Sequence, residues 1–553
     1  MKKRVFAIIM SLAMCLTLTL TACDKVGVKS VEKDPTGQVM LSSSDTAKSA
    51  AKTLSPFSAL SKALEKGRFT VNVSDSEIGE LFSGDFYIDG QNVISASYLK
   101  LGLGESGTVD LTLYEDKEEM IVGSDSILGG NYSFNFQTLR SDLESSGIWE
   151  MIGLNSSDFM DTWGEFADAV SELFKDTDAA KKSLEDLGDN IINKVKNILN
   201  ETSPAVKKEN IDISGESVSA ITVTYNITEK TVSDILTAVC DCYEDFLSAD
   251  GYGKYFRAYL SAVLSASESD VTIDSVISEM RQGISEAFED TAFSGAVSFA
   301  LNPKTADVMN ISLNGTGTDE FDTQTEIKAN IMLGKNPEKS EEYVIDLSQT
   351  SDGETKASVI KLKRTDSKNG EFSRIITVNN NDAQTGDSAQ EYGFILNRGD
   401  NTYKLYSSDG TSESEIGGTM TYSETEIDIS VDSLKKDGEA VELPVIKIEV
   451  RAGEDVPAKP ESVNFLTLDA EGLQTLISNV YMNAAPYITG LFPQNDYTGE
   501  EYGDYDFFDS YTQEDEEYQA INNFSETYDY DGDGDCGDED DYNTWEILNS
   551  YLV

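Results

Sequence analysis

The chain has 553 residues, 39% of them hydrophobic, and carries 100 acidic against 42 basic side chains for a formal charge of −58. That balance opposes nucleic acid and anionic lipid surfaces and favours cations and basic partners. Histidine is absent, which excludes Ser-His-Asp and Cys-His hydrolases and His-ligated zinc or haem; no Gly-rich phosphate loop occurs either.

The first residues, Met1-Lys2-Lys3-Arg4, set positive charge before an apolar run from Val5 to Leu20, the layout of an export signal. As a helix that run would reach only about 24 Å, short of a hydrocarbon core of about 30 Å. The spacing predicts cleavage over residues 1–22. Leu20-Thr21-Ala22-Cys23 resembles the lipobox of bacterial lipoproteins. The resemblance implies that Cys23 receives a diacylglyceryl thioether, becomes the new N-terminus, and ties the protein to the outer face of the bacterial cell membrane. Two or three acyl chains hold far better than one, at about 0.8 kcal/mol per buried methylene. The plain alternative is a secretory signal with an incidental Cys. Loss of Lys2, Lys3 and Arg4 takes the charge from −58 to −61.

Residues 23–54, rich in Ser, Thr, Lys and Asp, read as a flexible tether. The body, 55–482, begins with Ser55 as N-cap and Pro56 at the first helical position, then Phe57, Leu60 and Leu64 on one face, with Gly67 ending the turn. The period then changes to two over 68–136: Phe69, Val71 and Val73; Phe86 and Ile88; Val109, Leu111 and Leu113; Tyr132, Phe134 and Phe136. These are half-buried strands, and Asp89-Gly90 supplies a hairpin turn.

Residues 137–289 form a helical block. Phe159, Trp163, Phe166 and Val170 make one stripe; Leu184, Leu187, Ile191, Val195 and Ile198 make another; Tyr252, Tyr255, Phe256 and Tyr259, then Val276, Met280, Ile284 and Phe288, continue it. Ile221, Val223 and Tyr225 mark a strand within it. Cys240 and Cys242, near Val232, Ile235 and Phe246, suit small core positions better than a soft-metal or redox site. With Cys536 they fall short of a disulfide framework.

From 292 to 450 the period returns to two, with at least nine antiparallel strands. Asn314-Gly315, Asp352-Gly353, Asn369-Gly370, Asp409-Gly410 and Asp437-Gly438 suit tight hairpins between them. A closing helix spans 468–482. The fold class is therefore α+β: a large antiparallel β-meander in one or more sheets, packed with a central helical block. A helix, a meander, a helical block and a larger meander resemble lipoprotein carriers of the LolA and LppX type. That resemblance implies a curved half-barrel sheet covered by helices around an apolar cavity for acyl chains. The alternation equally fits a filled core.

No Lys or Arg follows Lys459, and residues 483–553 form an acidic tail expected to be disordered. Within it, Asp529-Tyr530-Asp531-Gly532-Asp533-Gly534 through Asp540 resembles an EF-hand loop. Asp529, Asp531 and Asp533 take its first three ligand places, Gly534 the turn, Asp535 the backbone-carbonyl place and Asp540 the last. Calcium is the cofactor this implies. Asp rather than Glu at the last place shortens its bidentate reach; dockerin loops share that feature, but in pairs.

Together these features predict an anchored, non-enzymatic binding module for a lipid or another apolar ligand. The alternative is a calcium-dependent structural or adhesive protein with a cell-surface protein partner. A carboxylate-pair glycosidase needs no histidine, but no spacing singles out two acids, and Trp149, Trp163 and Trp545 are the only tryptophans for sugar stacking.

Overall fold

The computed structural model describes residue 31 and residues 33–491, apart from 55–56, 77–78, 105–106, 267–270, 290–291, 319–322, 338, 352, 368–369 and 383–385. Helices α1 (Pro35–Leu54) and α2 (Ser58–Glu65) lead into β1 (Lys66–Asp75), β2 (Gly79–Asp89), β3 (Ile94–Gly102), β4 (Thr108–Glu115), β5 (Glu119–Ser124) and β6 (Gly130–Asn135). Four helices follow: α3 (Leu139–Ser145), α4 (Ile148–Ile152), α5 (Ser156–Lys175) and α6 (Thr177–Glu201). The hairpin β7 (Ala205–Ile213) and β8 (Glu216–Thr228) then leads to α7 (Glu229–Leu247), α8 (Tyr252–Ala266) and α9 (Ile273–Glu289).

The second run of strands is β9 (Ala292–Leu301), β10 (Val308–Thr318), β11 (Gln324–Met332), β12 (Glu342–Ser351), β13 (Glu354–Asp366), β14 (Glu371–Asp382) and β15 (Gly386–Asn397). It continues through β16 (Thr402–Ser408), β17 (Glu413–Tyr422), β18 (Glu426–Lys436), β19 (Glu439–Val441) and β20 (Val445–Ala452). Short β21 (Val463–Asn464) and α10 (Ala470–Leu491) end the described chain. Among the described residues this is an α+β fold with ten α-helices and one open, mostly antiparallel sheet of 21 strands.

The two meanders predicted from the sequence are one sheet. Strand β1 pairs β2 on one side and β20 on the other, placing Phe69 opposite both Phe86 and Val450. Neighbouring strands therefore run from β7 through β18, cross to β20 and β1, and continue to β6. Strand β19 pairs the far half of β18, and β21 adds to β6 in parallel.

Two cores lie on the same face of this sheet. At β8 to β10, Val223, Phe299, Leu301 and Val308 pack under Val39 of α1, Ile191 and Val195 of α6, and Val232, Ile235 and Cys242 of α7. Cys240 and Cys242 are both buried and free, as small core residues would be, and burial pushes both thiols up. Caps fix these helices: Asp176 accepts from Ala179 N at the start of α6, and Thr228 makes a reciprocal box with Thr231 at the start of α7.

The second core surrounds α2. Ala59 and Ala63 pack with Phe372, Leu396, Met420, Ile427 and Val450. Phe57, just before α2, carries this core out to Phe372 on β14, and the register shift at Gly417/Gly418 is a bulge of the kind that bends a strand locally.

Three expectations are corrected. Residues 35–54, read as tether, form α1. Apart from Val39 its buried face is mostly polar and held by hydrogen bonds: Thr36 donates to Asn200 Oδ1 at 2.6 Å, Gln38 to Ser42 at 3.1 Å, and Val308 N–H to Thr46 Oγ1 at 3.0 Å. In α2 the buried residues are Ala59 and Ala63, while Leu60 and Leu64 are exposed. Only small side chains allow this approach: a Cβ on Gly67 would stand 2.7 Å from the Ala63 Cα. Asn314-Gly315 lies inside β10, not at a turn; Gly315 pairs with Gly295, and the Phe293 ring fills the space above both.

On the opposite face, Val456 covers Tyr87, Ala96, Tyr98, Tyr114 and Ile121. Lys459 fastens that segment, 3.1 Å from Asp116 and 2.5 Å from Glu119. Desolvation opposes charge on both sides of the pair. The two carboxylates nevertheless raise Lys459, while the Glu118 and Glu119 N–H groups and Lys459 hold Asp116 below the usual carboxylate range. Stability from depressed Asp116 is present above pH 4 and lost as pH falls through its lowered value; stability from raised Lys459 persists below about pH 10 and is lost only above it. Lys459→Met is expected to cost about 1.5–3 kcal/mol. In melts against pH, that difference should be flat from about pH 5 to 10 and shrink as pH falls below the ordinary carboxylate range.

Candidate functional site

Alternate residues of a strand share a face, and the register carries one apolar face through the sheet. Val206, Val223, Phe299, Ile311, Ile331, Ile345, Ile360 and Val378 form a single row across β7 to β14. The next row runs from Tyr343 through Leu362 and Ile376 to Tyr392. Beyond β17 the face continues as Tyr422, Ile427, Val450, Phe69 and Phe86. On the other face Thr224, Ser298, Ser312, Asn330 and Asp346 form a polar row, with Thr224 and Ser298 hydroxyls 2.9 Å apart, beside a small buried apolar cluster of Val218, Ala220, Ala300 and Met309.

Cover over the apolar face is uneven. Helices α1, α6 and α7 bury it at β8 to β10, and α2 buries it at one end of β14 to β1. Phe57, just before α2, extends that plug: its ring lies 5.1 Å from Tyr422, 6.0 Å from Phe372 and 6.2 Å from Phe394. Farther along the same strands the cover ends, and Ile376, Tyr392 and Leu405 are 40%, 46% and 47% exposed.

Where plug meets open surface, the apolar phase contains arginines. Arg364 and Arg374 stand directly opposite each other in the β13–β14 register. The Arg374 guanidinium lies 4.0 Å from the Phe372 ring centre and Arg398 lies 5.5 Å from it. Arg374 donates to the Ser373 and Thr365 carbonyls at 2.8 and 3.2 Å; Arg364 donates to the Ser340 carbonyl and, at 3.0 Å, to that of Pro337. Arg398 reaches Asp366 and the Tyr422 hydroxyl, each at 2.7 Å. Burial, reinforced by Arg364 and Arg398 and opposed by Asp366, pushes Arg374 below its ordinary value. The sequence signal for this cluster was available: Arg364 and Arg374 occupy apolar phases of period-two strands.

Cys23 and the calcium-like loop residues Asp529, Asp531, Asp533, Asp535 and Asp540 lie outside the described residues. Among the described residues no three Cys, Asp or Glu side chains gather as a metal site, and no helix is long and apolar enough to cross a membrane. Trp149 and Trp163 join an aromatic run with Phe159 and Phe166 on the helices. No known family model matches the chain, and no curated protein sequence matches it.

Proposed function

We propose that this chain is an exported lipoprotein anchored through Cys23 that binds a lipid or other apolar ligand without catalysis. The observation that carries the reading is the continuous apolar face, buried under α2 at one end of β14 to β16 and bare farther along the same strands at Ile376, Tyr392 and Leu405. In this reading the sheet curves into a half-barrel trough, plugged at one end by α2 and Phe57. A filled core would bury these side chains; a soluble protein rarely leaves a contiguous apolar surface of this kind without use.

The test is native mass spectrometry of the full chain carrying Cys23→Ser, after incubation with phosphatidylethanolamine vesicles. Added mass that organic solvent removes and identifies as lipid is expected. It should disappear in the double variant Ile376→Asp and Leu405→Asp, where exposure lets the substitutions leave the fold intact. A parent chain that stays at its calculated mass would overturn the proposal.

A further inference from the structure

We propose that the arginine cluster beside Phe372 receives the acidic headgroup of an amphiphile whose hydrocarbon lies along Ile376, Tyr392 and Leu405, an assignment that rests on the apolar-ligand reading above. Like charges directly opposite on one face of a sheet repel. Arg364 and Arg374 are such a pair, half-buried or more, where repulsion is screened less than in water. A carboxylate or phosphate placed against both turns that repulsion into charge-assisted hydrogen bonds, for which the planar guanidinium is well shaped.

The position of the pair selects an amphiphile. Along β14 the apolar face passes from buried Phe372 to half-buried Arg374 to exposed Ile376; along β15 it passes from buried Leu396 through Phe394 to exposed Tyr392. The guanidinium thus stands at the boundary between plug and bare hydrocarbon-binding surface. A headgroup held there leaves its tail on the open rows, whereas a small anion would leave those rows unused. The chain's negative charge does not decide the matter, because physiological salt screens it beyond about 8 Å.

Calorimetric titration of the full chain carrying Cys23→Ser, with oleate, methyl oleate and inorganic phosphate as probes, tests the assignment; both lipids are delivered from cyclodextrin. Oleate is expected to bind the parent at least about tenfold more tightly than its methyl ester. Arg374→Gln should erase that preference, weakening oleate at least about tenfold more than methyl oleate. Equal binding of acid and ester to the parent would overturn the headgroup site while the apolar trough stands. Binding of neither would overturn both. Phosphate binding as tightly as oleate would mark a free-anion site and overturn the amphiphile. The parent comparison needs no variant, so misfolding of Arg374→Gln would not obscure it.

Discussion

Phe372→Ala is expected to destabilise the α2 end of the sheet by about 3–5 kcal/mol. The side chain is 1% exposed, so its loss removes a full aromatic transfer energy and leaves a cavity. Its surroundings cannot close easily. Phe57 and Phe394 touch one side at about 6 Å between ring centres, and Arg374 and Arg398 lie over the ring. Truncation would therefore also remove cation–π contacts worth about 1–2 kcal/mol where desolvated. Phe372→Leu retains volume and should cost less. Amide exchange in β14, β15 and β18 reads the effect directly; a loss below about 1 kcal/mol for Phe372→Ala would show that the plug is not a packed core.

Much of this architecture was visible in the sequence because one face of almost every strand is apolar. Clean alternation, as in Phe69-Val71-Val73 or Val297-Phe299-Leu301, marks a strand without tertiary help. Strand β3 escaped because its apolar-face positions begin with Ser95 and Ser97, and its other face carries Ala96 and Tyr98. Polarity does not switch from one residue to the next. Helix α1 escaped for the opposite reason: beside Val39 its buried residues are mostly polar, among them Thr36, Gln38, Ser42 and Thr46, and hydrogen-bond partners as distant as Asn200 and Val308 satisfy them. Hydropathy scores such residues as solvent-facing.

The join of β1 to β20 was likewise out of reach, since nearly four hundred residues separate Phe69 from Val450 and nothing local marks two edge strands as partners. The candidate site depends on that join. An apolar face was legible strand by strand, but which part stays bare depends on where α2 comes to rest. Ala59 and Ala63, the residues that seat it, are less conspicuous than Leu60 and Leu64 beside them.

Leu301→Ala should damage the other core by about 2–5 kcal/mol and leave the plug untouched. Leu301 is fully buried on β9 among Val223, Val308 and the residues of α6 and α7. The two cores share no residue. Between them lie β11, β12 and β13, where Ile331, Ile345 and Ile360 are only half-buried and belong to neither core. Ladder hydrogen bonds cross this region, but they contribute little net stability each, so it should act as a weak joint. Amide exchange in β8 to β10, α6 and α7 should then accelerate about thirtyfold or more, with β14 to β18 and β20 at parent rates. Phe372→Ala should give the reverse pattern. Equal acceleration on both sides would show a single cooperative sheet. Separate responses would establish a weak joint beside the bare apolar rows of β14 to β16, so that the proposed trough could widen without unfolding either core.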